Sequence, residues 1–280
     1  MKKVLILGAG LSGLSLAYRL SKKDFSITLL EKRETYQNDR TWCFWNTSSH
    51  PFEDLIDYRW NKWQVNHKGR SKVCTSSAYE YQMISAETFY RELIARLKSQ
   101  GNVDICLGVE VKDIVKQEKS FEAITSKGFF LADSVYDSRP NVMTSLLYQH
   151  FHGWHIQIDR PLFDPSKVIL MDFDVDQSKG IHFMYVLPFS PFEALVEPTF
   201  LSESPLEKSA YESSLDAYLS SRYGIKAFKI IREEKGVLPL ATHFKTSFVP
   251  DLKYIGSAGG WMRSSTGYAF LSIQEAIERH

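Results

Sequence analysis

The glycine pattern near the N-terminus constrains this chain most. An apolar run at 4–7 leads into Gly8, Gly10 and Gly13, which have the spacing Gly-x-Gly-x-x-Gly. Gly8 permits a tight turn, Gly10 lets the backbone approach a pyrophosphate, and Gly13 lets the following helix pack closely on the strand. The N-terminus of that helix presents unpaired N–H groups and a positive dipole end to phosphates. The segment therefore predicts a strand–turn–helix unit that binds a dinucleotide, with a simple tight turn as the alternative.

Glu31 supports the same interpretation. It ends the next apolar run, 26–30, where a carboxylate accepts hydrogen bonds from the ribose hydroxyls of an adenosine. The pattern does not distinguish FAD from NAD. Met1-Lys2-Lys3 and the apolar stretch behind it also resemble a secretory signal peptide, but the glycines and the lack of a small-residue cleavage site argue against this.

Composition narrows the classes of protein to which this chain can belong. A net charge of +1 gives no reason to expect a nucleic-acid partner. The three cysteines are widely spaced, which fits a reduced, cytoplasmic compartment and shows no metal-ligand spacing. No run approaches the roughly 18 apolar residues of a membrane-spanning helix. The many aromatic residues, 18 Phe, 14 Tyr and 6 Trp, fit core packing or a large apolar ligand.

The order of predicted elements indicates two interleaved domains. The βαβ start is followed by an amphipathic helix over 86–100 and by short alternating strands, and 148–200 is almost entirely strand. A helix from Ser204 or Pro205 to Tyr223, a strand at 226–233, a short strand at 254–256 and a helix from Thr266 complete the chain. We therefore expect a nucleotide-binding domain formed by 1–140 and 251–280, with a β-rich substrate domain at 141–250 between them.

Five segments contain sequence motifs in addition to the periodic pattern of apolar residues. In chain order they are the glycine pattern through Glu31, Asp39-Arg40-Thr41-Trp42-Cys43-Phe44-Trp45, Phe151-His152-Gly153-Trp154-His155-Ile156, Tyr185-Val186-Leu187-Pro188-Phe189-Ser190-Pro191 with Glu197-Pro198-Thr199-Phe200, and Gly256-Ser257-Ala258-Gly259-Gly260 with Thr266-Gly267-Tyr268. Together they resemble the lycopene β-cyclase family, flavoproteins related to aromatic hydroxylases and geranylgeranyl reductases. The first segment is generic to flavoproteins, whereas the second, third and fourth are specific.

The resemblance implies a fold, a cofactor and a reaction. The expected fold is α/β, a Rossmann-like FAD-binding domain interleaved with a β-rich substrate domain. The expected reaction closes β-ionone rings on lycopene or a related acyclic carotenoid, with reduced FAD as a non-redox cofactor and NAD(P)H as the reductant. Because such a substrate dissolves only in a bilayer, we expect a cytoplasmic protein associated peripherally with the membrane surface. The resemblance also implies that FAD is bound by Gly8, Gly10, Gly13, Glu31, Arg40, Gly256, Gly259, Gly260 and Gly267.

Glu197 is the candidate catalytic acid. It lies in an apolar strand, where burial would raise the pKa of a carboxyl group and keep its proton available near neutral pH. Sequence alone leaves open a salt-bridged or surface acid. The resemblance implies that Glu197 protonates the terminal double bond of lycopene. The candidate substrate contacts, for which core packing is the alternative, are Phe151, Trp154, Tyr185 and Phe189.

Other functions stay open from the sequence. His150, His152 and His155 raise the idea of a metal site, but no acid or cysteine is close in sequence, and we expect no metal. Arg40 either binds a flavin phosphate or caps a loop. A flavin monooxygenase or polyprenyl reductase of the same fold is an alternative enzyme. Because family members generally continue beyond the last cofactor helix, a shortened, inactive flavin-binding protein is a further alternative.

Overall fold

The computed structural model describes residues 1–140, 145–240 and 249–279. In its first half the elements are β1 (Lys2–Leu7), α1 (Leu11–Leu20), β2 (Phe25–Glu31), β3 (Thr41–Trp45), β4 (Tyr58–Trp60), β5 (Lys62–His67), β6 (Arg70–Thr75), β7 (Tyr81–Ser85), α2 (Ala86–Lys98), β8 (Val103–Leu107), β9 (Val111–Lys116), β10 (Phe121–Thr125), β11 (Gly128–Ala132) and β12 (Ser134–Asp137). In the second half they are β13 (Tyr148–Gln157), β14 (Val168–Asp172), β15 (Ile181–Ser190), β16 (Glu193–Ser202), α3 (Lys208–Tyr223), β17 (Lys229–Pro239), β18 (Lys253–Tyr254) and α4 (Phe270–Glu278).

A five-stranded parallel sheet carries the glycine pattern. Its strand order is β18-β12-β1-β2-β8, and β1 pairs in parallel with both β2 and β12. The core beside it contains apolar residues of α1, α2 and α4, among them Leu14, Phe89 and Ile273. Helix α2 begins where predicted, because the Ser85 hydroxyl accepts a hydrogen bond from Thr88 N (3.2 Å).

A seven-stranded sheet forms the second large layer, in the order β17-β13-β16-β15-β14-β5-β6. Residues of one parity on β13, β15 and β16, such as Trp154, Met184 and Val196, pack under α3 with Leu215 and Leu219. Residues of the other parity face away from α3. This face carries the candidate site.

The chain passes between the two large sheets more often than the three predicted segments imply. Strands β5 and β6, from the N-terminal part, extend the seven-stranded sheet, and β18 returns to the five-stranded sheet beside β12. The division at 140 and 250 stays a prediction. Residues 141–144 and 241–248 of the predicted middle domain, and His280, lie outside the described residues.

Two predicted helix starts were wrong. Helix α3 begins at Lys208 rather than at 204 or 205, and α4 begins at Phe270 rather than at Thr266. Turns precede α4, because the N–H groups of Thr266 and Gly267 donate to Arg263 O, and Gly267 has φ +72°, which a right-handed helix does not accommodate.

Candidate active site

A cavity of about 1210 Å³ is lined by both large sheets. We call one set of lining residues the glycine-loop wall: Gly8, Gly10, Glu31, Arg33 and Arg139. We call a second set the carboxyl wall: Phe151, Tyr185, Glu197, Thr199 and Glu234. The cavity therefore joins the predicted nucleotide-binding turn to the predicted catalytic acid.

The glycine-loop wall has the geometry that a close backbone approach requires. Gly8 has φ +84°, and a Cβ on Gly13 would lie 2.0 Å from the carbonyl oxygen of Gly8. Gly10 precedes α1 directly and lines the cavity, and a Cβ there would meet nothing within 4 Å. The backbone at Gly10 is thus open to a ligand at a helix N-terminus, as an anionic group requires.

Glu31 is fixed beside this turn. Its side chain is buried, and its carboxylate accepts from Ala9 N (2.8 Å), Arg33 N (3.0 Å) and the Arg33 guanidinium (3.2 Å). Burial acts to raise the pKa of Glu31, but these hydrogen bonds and the Arg33 charge outweigh it and lower the pKa. Sequence reasoning missed Arg33, because it belongs to no recognised motif. Its guanidinium lies next to Glu31 and over the rings of Tyr36 and Tyr90.

Two further arginines lie at the cavity. Arg139 forms a two-bond ion pair with Asp137 (2.9 and 2.7 Å) and also donates to Val111 O. Arg40 donates to Lys235 O (2.7 Å), which ties the 32–40 loop to β17. This contact supports the loop role of Arg40, and its role toward a flavin phosphate stays a prediction.

The four late glycines have different surroundings. A Cβ on Gly256 would lie 2.2 Å from Ser12 Oγ, and one on Gly259 would lie 2.4 Å from Tyr254 O. These two glycines allow the late loop to pack on α1 and on itself. Gly260 donates within the same turn, to Ser257 O, whereas Gly267 lines the cavity.

Glu197 is the central residue of the carboxyl wall. Its side chain is buried at 7% exposure, and its Oε1 accepts from the Thr199 hydroxyl (3.1 Å). The pKa of Glu197 is raised well above its usual range, chiefly by burial and secondly by the negative charge of Glu234. Both effects favour the protonated form of the Glu197 carboxyl group over its ionised form.

Glu234 is the second carboxyl of this wall, and sequence reasoning missed it. Its Oε2 accepts from the Thr41 hydroxyl and from Arg232 Nη1 (2.5 Å), while Arg232 Nη2 donates to Thr41 Oγ1 (2.8 Å). The side chains of Arg232 and Glu234 are 13% and 5% exposed. The predicted strand ends at 233, whereas β17 continues to Pro239, and alternation along it places 232 and 234 on one face.

Three tyrosine hydroxyls form a hydrogen-bonded cluster at the cavity. Tyr81 OH lies 2.8 Å from Tyr185 OH and 3.0 Å from Tyr268 OH. Burial raises the pKa of Tyr185 well above its usual range and that of Tyr268 to about 12. The cluster is therefore neutral at physiological pH.

The four predicted aromatic contacts separate into two groups. Phe151 and Tyr185 line the cavity, and the ring of Phe151 covers Gly236, where a Cβ would lie 2.5 Å away. Trp154 has the opposite parity on β13 and packs under α3 against Phe228, with a centroid distance of 5.6 Å. Phe189 packs against Tyr58 (4.8 Å) and His155 (4.9 Å). Phe151 and Tyr185 therefore stay predicted substrate contacts, whereas Trp154 packs in the core under α3.

His150 and His152 of β13 have hydrogen-bond partners, and His155 lies near a carboxylate. His150 lies 2.7 Å from Ser202 Oγ and 2.6 Å from Tyr211 OH. His152 lies 2.8 Å from Glu233, and His155 lies 3.6 Å from Glu193. In the described ranges, no group of three or more His, Cys, Asp or Glu side chains is arranged to hold a metal ion. No helix in the described part of the chain has the length and apolarity that crossing a membrane requires.

Comparison with solved structures defines the class of fold. A geranylgeranyl bacteriochlorophyll reductase-like protein from Thermoplasma acidophilum matches 99% of this chain and 77% of its own, with a TM-score of 0.75 at 14% identity. A probable FAD-dependent monooxygenase from Pseudomonas aeruginosa matches 98% of this chain and 84% of its own, with a TM-score of 0.64 at 14% identity. The fold is that of FAD-dependent monooxygenase and reductase-like proteins, and the predicted fold class is confirmed.

Sequence comparison defines the family. The family model described as "Lycopene cyclase protein" matches residues 3–279. A lycopene β-cyclase from Pantoea ananas is 25% identical over 280 residues, covering 95% of this chain and 70% of that protein. Another, from Pseudescherichia vulneris, is 26% identical over 295 residues, covering 99% and 73%. The chain belongs to the lycopene cyclase family, as its motifs predict.

Proposed function

We propose that this chain is a lycopene β-cyclase that uses Glu197 as its acid and FAD as a non-redox cofactor. The observation that carries the proposal is a buried carboxyl group, whose pKa burial raises, in a cavity that also contains the glycine-loop wall. Family membership supports a carotenoid as the substrate.

In this proposal Glu197 donates a proton to an alkene. An alkene is a very weak base, so the donor must be a neutral acid in a site without competing water. Protonation of a terminal double bond of lycopene gives a carbocation, which the next double bond attacks to close a six-membered ring. Loss of a ring proton then gives the β-ring. One proton is gained and one is lost, so no net oxidation or reduction occurs.

The glycine-loop wall fits the ADP half of FAD. The open backbone at Gly10 would receive the pyrophosphate, and Glu31 would accept from the ribose. When bound, reduced FAD supplies negative charge that stabilises a carbocation, and we propose NAD(P)H as its reductant. A mutant of the halogenase PltM, which has the same fold, was solved in complex with FAD (TM-score 0.70, 11% identity, 99% of this chain and 68% of that one). This likeness supports FAD as the cofactor.

The carboxyl wall also suits a cationic intermediate. The faces of Phe151 and Tyr185 present negative quadrupole charge to a cation. The three tyrosine hydroxyls hydrogen-bond to one another, so they do not require water as a partner. These residues would orient the polyene end and protect the cation from capture by water.

We further propose peripheral association with a lipid surface, since the substrate is a bilayer-soluble hydrocarbon. Phe129 and Leu131 of β11 are 68% and 61% exposed. Apolar side chains of this kind are suited to insertion at the lipid–water boundary.

Pigment analysis tests the proposal. The chain and its Glu197→Gln variant are expressed in a lycopene-producing host, and the carotenoids are separated. We expect γ- or β-carotene with the original chain and lycopene alone with the variant. If the original chain retains flavin but leaves lycopene unchanged, it is a flavin-binding protein without cyclase activity. If it couples oxygen consumption to NADPH oxidation, the monooxygenase alternative holds.

A further inference from the structure

Glu197 and Glu234 lie in one row across three adjacent strands. Gly153 of β13 pairs with Glu234 of β17 on one side. On its other side Gly153 adjoins Glu197 of β16, because a Cβ on Gly153 would lie 2.9 Å from Glu197 Cβ and 3.1 Å from its Cγ. The residue between the two acids thus has no side chain, and nothing on β13 separates the two carboxyl groups on the cavity face.

The two acids have unequal partners. Within the described part of the chain, Glu197 accepts a hydrogen bond from the neutral hydroxyl of Thr199. Glu234 accepts from the Arg232 guanidinium and from Thr41, and hydrogen bonds from a charged donor stabilise a carboxylate strongly. When two nearby carboxyl groups compete for one proton, the one with the cationic partner ionises and the other keeps the proton.

The other groups around Glu197 do not alter this order. Cys43 of β3 and Tyr185 of β15 face it, and burial raises the pKa of both, so they are neutral at working pH. Arg232 lowers the pKa of Glu197, in the opposite sense to Glu234, but its effect is the smaller of the two.

We propose that Glu234 is a positioning residue whose carboxylate, anchored by Arg232 and Thr41, keeps the catalytic proton on Glu197 across Gly153. The proposal rests on the proposed function of Glu197 as the acid. Glu234 thereby extends the pH range over which Glu197 can donate a proton.

The test is an infrared pH titration of the Glu197 carboxyl group in the whole protein. Its C=O stretch is identified as the band that Glu197→Gln removes. In Glu234→Gln the amide keeps an acceptor for Thr41 and loses the charge, so the titration of this band should move to lower pH by about one unit or more. The alkaline limb of cyclase activity should move in the same direction.

A matched control lies on the same strand. Glu233 is adjacent but points to the other face, where it pairs with His152 (2.8 Å) and Lys208 (3.1 Å). Glu233→Gln should leave the titration of Glu197 unchanged. If Glu234→Gln does not fold, Thr41→Val serves instead, because it removes one donor to Glu234 while keeping the side-chain shape, and it should give a smaller shift in the same direction.

The outcomes separate this inference from the proposed function. If the band titrates at the same pH in Glu234→Gln and Thr41→Val as in the original chain, Glu234 does not hold the proton on Glu197. If the band moves as expected but no carotenoid is cyclised, the inference holds and the proposed function fails.

Discussion

The protonated state of Glu197 should make the stability of this protein depend on pH. The folded state binds a proton at Glu197 that the unfolded chain has released above about pH 4.3, the ordinary value for glutamate. Between that value and the raised pKa of the folded state, the free energy of unfolding falls as pH rises, by up to about 1.4 kcal/mol per pH unit. Below the unfolded pKa the contribution is fully present, and it is lost as pH rises through the folded pKa.

The perturbation is Glu197→Gln, which removes this titration and keeps an acceptor for the Thr199 hydroxyl. Relative to the original chain, the variant should gain up to about 2.7 kcal/mol of stability between pH 6 and pH 8. Urea unfolding at several pH values, at fixed flavin concentration, measures the difference. Glu118→Gln, at an exposed acid in the turn between β9 and β10, is the control and should run parallel to the original chain. If the Glu197→Gln curve also runs parallel, the buried carboxyl is not protonated and the reasoning is refuted.

Three further predictions concern the cofactor and the core. Glu31→Ala should weaken FAD binding by about 1–3 kcal/mol, measured by flavin fluorescence, because it removes a buried acceptor beside the glycine turn; unchanged affinity would place the ribose elsewhere. Gly10→Val should lower FAD affinity without lowering the melting temperature, because its side chain would extend into the open cavity; a large loss of stability would contradict this. Trp154→Ala should cost about 3–5 kcal/mol of stability by chemical denaturation, whereas Phe151→Ala should chiefly impair cyclisation; the reverse pattern would show that the faces of β13 are wrongly assigned.

The nucleotide-binding half of the fold was predictable because its signals are local. Gly8 and Gly13 are required by a turn and a close packing contact within 13 residues of the N-terminus, and Glu31 lies at the end of the adjacent strand. The apolar strand around Glu197 made burial a reasonable expectation, but sequence alone left a salt-bridged or surface acid open, and the candidate catalytic role came from the family resemblance.

The side-chain contacts that the sequence did not predict depend on which face of each strand packs against which layer of the fold. Trp154 and Phe151 lie on the same strand, three residues apart, and alternation requires them to point to opposite faces, but sequence does not say which face meets α3. The partnership of Thr41 with Glu234 joins residues 193 positions apart. It depends on the register of β17 against β13 and on the position of the first residue of β3 beside β17, and neither is encoded in a local pattern.

Cyclisation in heavy water tests the central claim most directly. The purified protein is supplied with FAD, with NAD(P)H to reduce it, and with lycopene in liposomes, and the products are analysed by mass spectrometry. Because the carboxyl proton of Glu197 exchanges with solvent, each new ring should carry one deuterium, NAD(P)H should not be consumed in proportion to product, and Glu197→Gln should form no rings. Ring formation by Glu197→Gln at the original rate, or rings without deuterium, would contradict the account.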